Sequence, residues 1–577
     1  MRPSIKAFLL SAFVFPGLGQ LYNQDRKKGV LLVLLTNLLF GVLLLLGMIL
    51  VSQEYHAVFY PKPLTPEMLK QMALDVLTRP LFLLPFTLLV GLWAYGAVDA
   101  IRNAPARPSG SPSGVPPSPT TSPSPSPRPS PEPINTTFDG ITTFRGNATR
   151  SYYGQGPVPE DPRILWRYPA SGGLCSSSSV GSESKVWCGT GWTGQPNVIV
   201  GNHGSIEVRF GAYDAHYHFL DGMTGEPVRP DLVTGDLAKG SATSDPDGYP
   251  LYYGGSRDNL LRVIALDRPE PTVLWSVDAD SSVPNPVWNN DWDGAPLVID
   301  DYLLEGGENS WLYVIKLNRG YDKSGKVTVD PKIVFTAPGF DVQLMADLPD
   351  SDVSIENSVA FDDGVVYFAN SGGLVQGWDI SRILAGKSDQ AERVFRFWTG
   401  DDTDASVVID EKGFLYVGSE LQRFNARDAE VGQLMKLDPR KPKDPIVWTF
   451  HIPEKGGDGL GGVWATPALY GDMLYIATNY GDLIGIDRMT GKEWWRIHLV
   501  GPTWSSPVPV DGVLLEGDCG GTLHAFDISG NLHKEPSSLW ALKIGGCIES
   551  TPSVWDDMIW VGTRAGGFYG IGDKGHG

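Results

Sequence analysis

Cysteine is scarce in this 577-residue chain. There are four, and none falls in a CxxC, CxxCH or paired Cys/His spacing. That removes a zinc ribbon and an attached c-type haem from consideration. No GxSxG context surrounds the serine run Ser176–Ser179, and no nucleophile–base pair stands out, so a serine-hydrolase reading has no support. Charged residues are only 19% of the chain, against 68 glycines, 18 tryptophans and 21 tyrosines. A helical enzyme is richer in Ala, Leu, Glu and Lys. Short strands punctuated by glycine turns, with aromatic cores, give the profile seen here.

Basic charge is short too, and unevenly placed. Residues 1–107 hold ten Lys/Arg and five Asp/Glu, while the other 470 hold 36 and 61, a net −25. Such an acidic body repels phosphate backbones, which argues against nucleic acid as a partner. Cations, sugars, peptides and basic proteins remain.

Long apolar runs are confined to the first hundred residues. Residues 30–51 are 22 uncharged residues, enough for a helix across a ~30 Å hydrocarbon core. Residues 81–98 make a second span, with Trp93 and Tyr95 suited to an interface. Ahead of both, Ala7–Tyr22 is apolar but broken by Pro16-Gly17-Leu18-Gly19, and reads as a short span or a re-entrant segment. No small-residue cleavage site follows it, so the start reads as a signal-anchor and not a removed peptide. Residues 105–133 are almost wholly Pro, Ser, Thr and Gly. They cannot bury a core, and extended at ~3.1 Å per residue they reach roughly 90 Å. The expected organisation is a membrane anchor over 1–104, a linker over 105–135 and a folded region over 142–577.

That last region repeats itself. Asn357–Asp379, Ala465–Asp487, Ser505–Asp527 and Ser550–Gly572 align without gaps, each with a short strand, a turn near Asp-Gly, an apolar strand, a Gly-rich turn and a third strand. Gly294–Lys316 fits the same frame, and looser copies end at Asp221, Asp267 and Asp438. A fourth strand follows with a large aromatic, as at Trp275, Trp398, Trp448, Trp495 and Trp540. Eight such units predict an all-β, eight-bladed propeller. The last unit lacks a fourth strand and Arg163–Tyr168 stands unpaired before the first, so that strand is expected to close the ring.

The stretch LIGIDRMTGKEWW (Leu483–Trp495) resembles the pyrroloquinoline-quinone-like propeller repeat: an apolar strand ends in Asp, a TG turn follows, and a Trp docks between blades. Leu220–Gly225 is a partial second copy. PGLGQLYNQDRKKG (Pro16–Gly29) resembles the small bacterial two-transmembrane-domain family. The propeller resemblance implies either a calcium-dependent quinoprotein dehydrogenase or a non-catalytic envelope propeller. Those alcohol-oxidising enzymes have adjacent cysteines over the cofactor, and this chain has no Cys-Cys pair. The favoured expectation is therefore a binding or scaffolding module in the cell envelope, with an envelope protein, peptide or carbohydrate as partner. The alternative is an oxidoreductase using quinone (PQQ) and calcium, or another enzyme using central carboxylates. No cofactor is assigned.

In a propeller, the loops leading into first strands and the turns between second and third strands share one end. The first set brings Asp291, Trp292, Asp293, Glu356, Asn357, Asp401, Asp402, Asp404, Trp464, Trp504 and Glu549 towards one mouth of the channel. Carboxylates there are hard oxygen ligands and indoles are stacking surfaces. Ordinary turn capping and gap filling place the same residue types there for structural reasons. WTGDDTDAS (Trp398–Ser406) lacks the spacing of a calcium loop. By position on the rim, the cysteines are expected to pair as Cys175–Cys188 and Cys519–Cys547. Pairing and the linker favour an extracytoplasmic propeller, whereas Arg26-Lys27-Lys28 favours a cytoplasmic one if the first segment is re-entrant.

Overall fold

The computed structural model describes residues 132–180, 183–191, 194–454 and 460–574, with short pieces between 32 and 50 and between 79 and 94. The chain divides into two compact units, Met1–Ser122 and Pro123–Gly577. Among the described residues no helix is long and apolar enough to cross a membrane. The expected spans at 30–51 and 81–98 and the segment Ala7–Tyr22 lie largely outside them, as does most of the linker.

The second unit is an eight-bladed propeller of four-stranded antiparallel blades. Blade 1 is Asn197–Val200, Ile206–Ala212, His216–Asp221 and Leu232–Val233; blades 2 to 7 begin at Thr243, Leu297, Ala360, Val408, Ala468 and Val508. Blade 8 takes Ser553–Trp555, Met558–Gly562 and Phe568–Gly572, and its outer strand is Arg163–Tyr168, paired antiparallel with Phe568–Gly572. The expected closure holds, and it leaves the ring without an open seam.

Local chemistry explains the regularity. In blades 4 and 7 the first hairpin turns on Asp363-Gly364 and Asp511-Gly512, all at positive φ, between the facing pairs Asp362–Val365 and Val510–Val513. Two such residues make the two-residue turn whose twist matches the strands. Between blades, an outer-strand indole docks on the TG turn of the next blade. Trp166 donates from Nε1 to Gly222 O at 3.0 Å, and Trp448 to Arg488 O at 3.2 Å. A Cβ on Gly225 would lie 2.6 Å from Trp166, and one on Gly491 2.7 Å from Trp448.

Two features depart from the repeat. The copy ending at Asp221 starts at Asn197, because Cys175–Val180 and Glu183–Cys188 form a separate hairpin. Its strands, CSSSSV and ESKVWC, offer no alternating apolar face to stack on a neighbour. Cys175 therefore faces Cys188 directly across this hairpin, with Cα atoms 4.1 Å apart. Cys519 pairs with Cys547 between blades 7 and 8.

The second departure fills the channel. Gly140–Ile141 pairs antiparallel with the innermost strand of blade 1, and Gly154–Gln155 runs parallel to the innermost strand of blade 8. The residues between them form a plug inserted from the end opposite the mouth. Ser244 N donates to Thr142 O at 2.8 Å and Ile409 N to Thr149 O at 3.0 Å. The fully buried Arg150 donates to Val359 O at 2.8 Å and Ala295 O at 3.1 Å. Arg145, also fully buried, donates to Thr466 O at 2.8 Å. Glu305 lies near Arg150 and Glu516 near Arg145, acidic neighbours that burial pushes well above the usual carboxylate range.

Candidate functional site

The plug bonds the chain immediately behind the mouth. Ala295, Val359 and Thr466, whose carbonyls hold Arg150 and Arg145, each stand two or three residues after a mouth residue: Asp293, Glu356 and Trp464. Above them is a cavity of about 380 Å³.

Glu356, Asp404, Trp464, Trp504 and Glu549 line this cavity together. They share one position, just ahead of the first strand of blades 4 to 8. Asp291 and Asp293 are buried one layer back, around the cavity-lining Lys239. Three other expected residues turn into the protein. Trp292 packs against Tyr313 at 5.2 Å and donates from Nε1 to Asn259 O, filling the space between blades. Asn357 bridges Ala369 O and Thr403 O. Asp401 accepts the backbone N–H groups of Gln422 and Arg423, which anchors the insertion of blade 5.

The remaining lining was not read from the sequence: Lys185, Trp187, Tyr213, Lys239, Arg257 and Arg564. Tyr213, Arg257 and Arg564 sit in turns between second and third strands, the other loop set at this end, while Lys185 and Trp187 come from the extra hairpin. That turn position was the available signal. The result is a mouth sorted by charge. Cations crowd Trp187 on the side of blades 8, 1 and 2, with Lys185 Nζ 4.2 Å, Arg564 5.0 Å and Arg257 5.2 Å from its ring. Carboxylates occupy the side of blades 3 to 5, and one more, Glu549, stands on the cationic side beside Arg564. On blades 6 and 7, Trp464 and Trp504 stack at 5.3 Å with planes 9° apart.

Two carboxylate groups differ in how their charge is met. Lys239 Nζ lies 2.9 Å from Glu308 and 3.5 Å from Asp291, and contacts Asp293, while Arg257 Nε reaches Asp291 at 2.8 Å. Burial works against ionisation, yet the Lys239 ammonium holds Glu308 below the usual carboxylate range, while at Asp291 and Asp293 burial outweighs the same ammonium and raises both. Asp402, Asp404 and Glu420 form the other group. Burial pushes all three well above that range, and neighbouring carboxylates push further. Glu356 is raised for the same two reasons, by burial and then by Asp404. Burial also lifts Glu549 to about 7, although Arg564 Nη1 stands 3.5 Å away.

Residues 430–540 match the family described as outer membrane protein assembly factor BamB. Over 153 residues the chain is 26% identical to the outer membrane protein assembly factor BamB of Nitrosomonas eutropha (strain DSM 101675 / C91 / Nm57). The family match takes in the end of blade 5, blade 6 and most of blade 7, and supports the resemblance of those blades to pyrroloquinoline-quinone-like repeats. The alignment with the Nitrosomonas protein covers 26% of this chain and spans 34% of the relative's length. Among solved structures, the quinohemoprotein alcohol dehydrogenase ADHIIG from Pseudomonas putida HK5 superposes with a TM-score of 0.50 at 11% identity, covering 76% of this chain and 80% of that one. The quinohemoprotein alcohol dehydrogenase from Comamonas testosteroni gives 0.49 at 13% identity, covering 76% and 82%. At that identity the first of these shows the fold alone.

The residues at the mouth do not fit the quinone that names the repeat. Trp464 and Trp504 cover each other's faces, cations crowd Trp187, and the two disulfides join cysteines 13 and 28 residues apart instead of neighbours. No step through such a cofactor is derived.

Proposed function

We propose that this protein is a membrane-anchored, envelope-facing propeller that serves as a partner-binding or scaffolding module, docking a segment of another envelope protein in the mouth cavity. The sorted lining carries the reading: cations on one side, carboxylates on another, and a stacked indole pair on the third. A polypeptide segment presents the complements of all three, a carboxylate, a basic group and an apolar or planar surface. A neutral carbohydrate uses the indoles but leaves both charged walls unmatched.

The setting has separate support. The family match is to a factor named for outer membrane assembly. Two disulfides fit an oxidising compartment. The apolar runs at 30–51 and 81–98 are long enough to serve as an anchor. The test is recovery of envelope proteins with full-length protein extracted from membranes, comparing wild type with Trp464→Ala and Trp504→Ala. A partner reduced at least tenfold by both variants is expected, with the propeller's circular dichroism unchanged. Equal recovery with wild type and both variants overturns the reading.

A further inference from the structure

We infer that the partner segment adds as a third, extended strand along the free edge of Glu183–Cys188, an inference that rests on the docking reading above. Cys175–Val180 and Glu183–Cys188 form a sheet of their own, two strands with six facing pairs and no register shift. The outer edges of the blades are built differently. In blades 2 to 8 the outer strand pairs with a register shift, and in blade 1 it is two residues long. Bulges and short strands keep a sheet edge from recruiting another chain. The hairpin carries neither device, and no proline interrupts CSSSSV or ESKVWC.

One hydrogen bond fixes which backbone groups point outward. Gly189 N donates to Leu174 O at 2.7 Å, so the adjacent Cys175–Cys188 pair is a non-bonded one, in keeping with its Cα separation of 4.1 Å. Alternation then bonds Ser176 to Trp187 and Ser178 to Lys185, and turns the N–H and C=O groups of Ser184 and Val186 away from the hairpin. Both residues are exposed, and no backbone bond reaches either from another described segment.

That edge borders the cavity. Lys185 and Trp187 line it, and the Ser178 and Ser176 that face them do not. Ser176 Oγ instead donates to Tyr213 O at 2.6 Å, and Arg257 Nη1 reaches Ser178 Oγ at 3.4 Å, so Cys175–Val180 lies over the turns of blades 1 and 2. Glu183–Cys188 is the strand on the channel side. A two-stranded hairpin alone is marginally stable. Here the disulfide, the Ser176 bond and the edge-on contact of Trp187 with Tyr213 at 5.7 Å hold it ready as a template. Side chains alternate along an added strand, so those on the Lys185 and Trp187 face enter the cavity beside Arg257 and Arg564. The segment that fits is extended and carries an acidic residue at one or more of those inward positions.

The test uses full-length protein extracted from membranes and the envelope protein that wild type recovers but Trp464→Ala and Trp504→Ala do not. Val186→Pro removes an N–H that the hairpin ladder does not use and blocks the edge to a new strand. It should cut recovery at least tenfold. Val186→Ala, which keeps the N–H, and Ser177→Pro, on the opposite edge, should stay within about twofold of wild type. In the wild-type complex, amide exchange at Ser184 and Val186 should slow at least tenfold against free protein, and at Ser177 and Ser179 it should not change. The exchange measurement needs no substitution, so it decides the matter even where Val186→Pro disturbs the hairpin. Equal recovery with Val186→Pro and Val186→Ala, or exchange at Ser184 and Val186 that does not slow, overturns strand addition and leaves mouth docking standing. A wild-type protein that recovers no such partner overturns both.

Discussion

The Arg145 guanidinium donates a 2.8 Å hydrogen bond to the carbonyl of Thr466, 321 positions further along the chain. Thr466 stands two residues after Trp464, so the contact ties the plug to the strand that presents one half of the indole pair. Arg150 does the same for blades 3 and 4 through Ala295 and Val359. The segment ahead of the ring thus ties together the inner strands of blades 3, 4 and 6.

Arg150→Ala should be strongly destabilising. It removes the donors to Val359, Ala295 and Phe144, leaving those buried carbonyls unmet, and takes from buried Glu305 the cation that offsets part of its burial. A loss of about 3–5 kcal/mol is expected. Arg150→Met combined with Glu305→Gln should recover part of it, because the uncompensated charge goes too. Denaturant unfolding followed by tryptophan fluorescence reads both, and a loss under ~1 kcal/mol for Arg150→Ala would deny the plug its structural role.

The indole docking can be separated from backbone strain. Gly225 and Gly325 both have positive φ, +73° and +79°, but a Cβ on Gly225 meets Trp166 at 2.6 Å and one on Gly325 meets nothing within 4 Å. Gly325→Ala should cost ~1 kcal/mol and Gly225→Ala roughly 2–4 kcal/mol. Equal losses in thermal unfolding would show that the Trp166 contact contributes nothing.

Stability should fall as pH rises through the weakly acidic range. Burial raises Glu549 to about 7 and Asp352 to about 6, so each binds its proton more tightly folded than unfolded. Their contribution is complete below the ordinary carboxyl pKa near 4 and is lost as pH climbs through those raised values. For Glu549 the change is at most ~3.5 kcal/mol. Melting temperatures of metal-free protein from pH 4.5 to 7.5 should decline, and Glu549→Gln should flatten the decline. A wild-type melting temperature that rises across the window contradicts this.

Cys519–Cys547 and Cys175–Cys188 close loops of 28 and 13 residues. Breaking either with Cys→Ser should cost ~3 kcal/mol. Peptide mapping without reductant should recover these two pairs and no others, and any mixed pair would contradict the structure.

How much was legible depended on whether the residue repeats. The TG turn with its following Trp, the Asp-Gly hairpins and the closing strand Arg163–Tyr168 all follow from a unit recurring around a ring. Glu356, Asp404, Trp464, Trp504 and Glu549 could be grouped because they share one place in that unit. Arg145 and Arg150 could not. Their stretch carries no repeat, and nothing local distinguishes a plug arginine from a surface one until the channel exists around it. Lys239, Arg257 and Arg564 arise singly, with no periodic charge to mark them, so a mouth that reads as acidic is in fact charge-sorted. Trp292 and Asn357 stand one residue away from the position of the lining residues, and because side-chain direction alternates along an extended chain they turn into the core.

The central claim, that the mouth is where a partner docks, is most directly tested by photo-crosslinking in intact cells. A photoreactive phenylalanine analogue replaces Trp504 at the mouth in one strain and the exposed Tyr321, on a hairpin beyond the third strand of blade 3, in another. A discrete envelope-protein adduct from position 504, absent at 321 and lost when Glu356, Asp404 and Glu549 are neutralised together, is the expected result. No adduct at 504, or the same adduct from both positions, would contradict it.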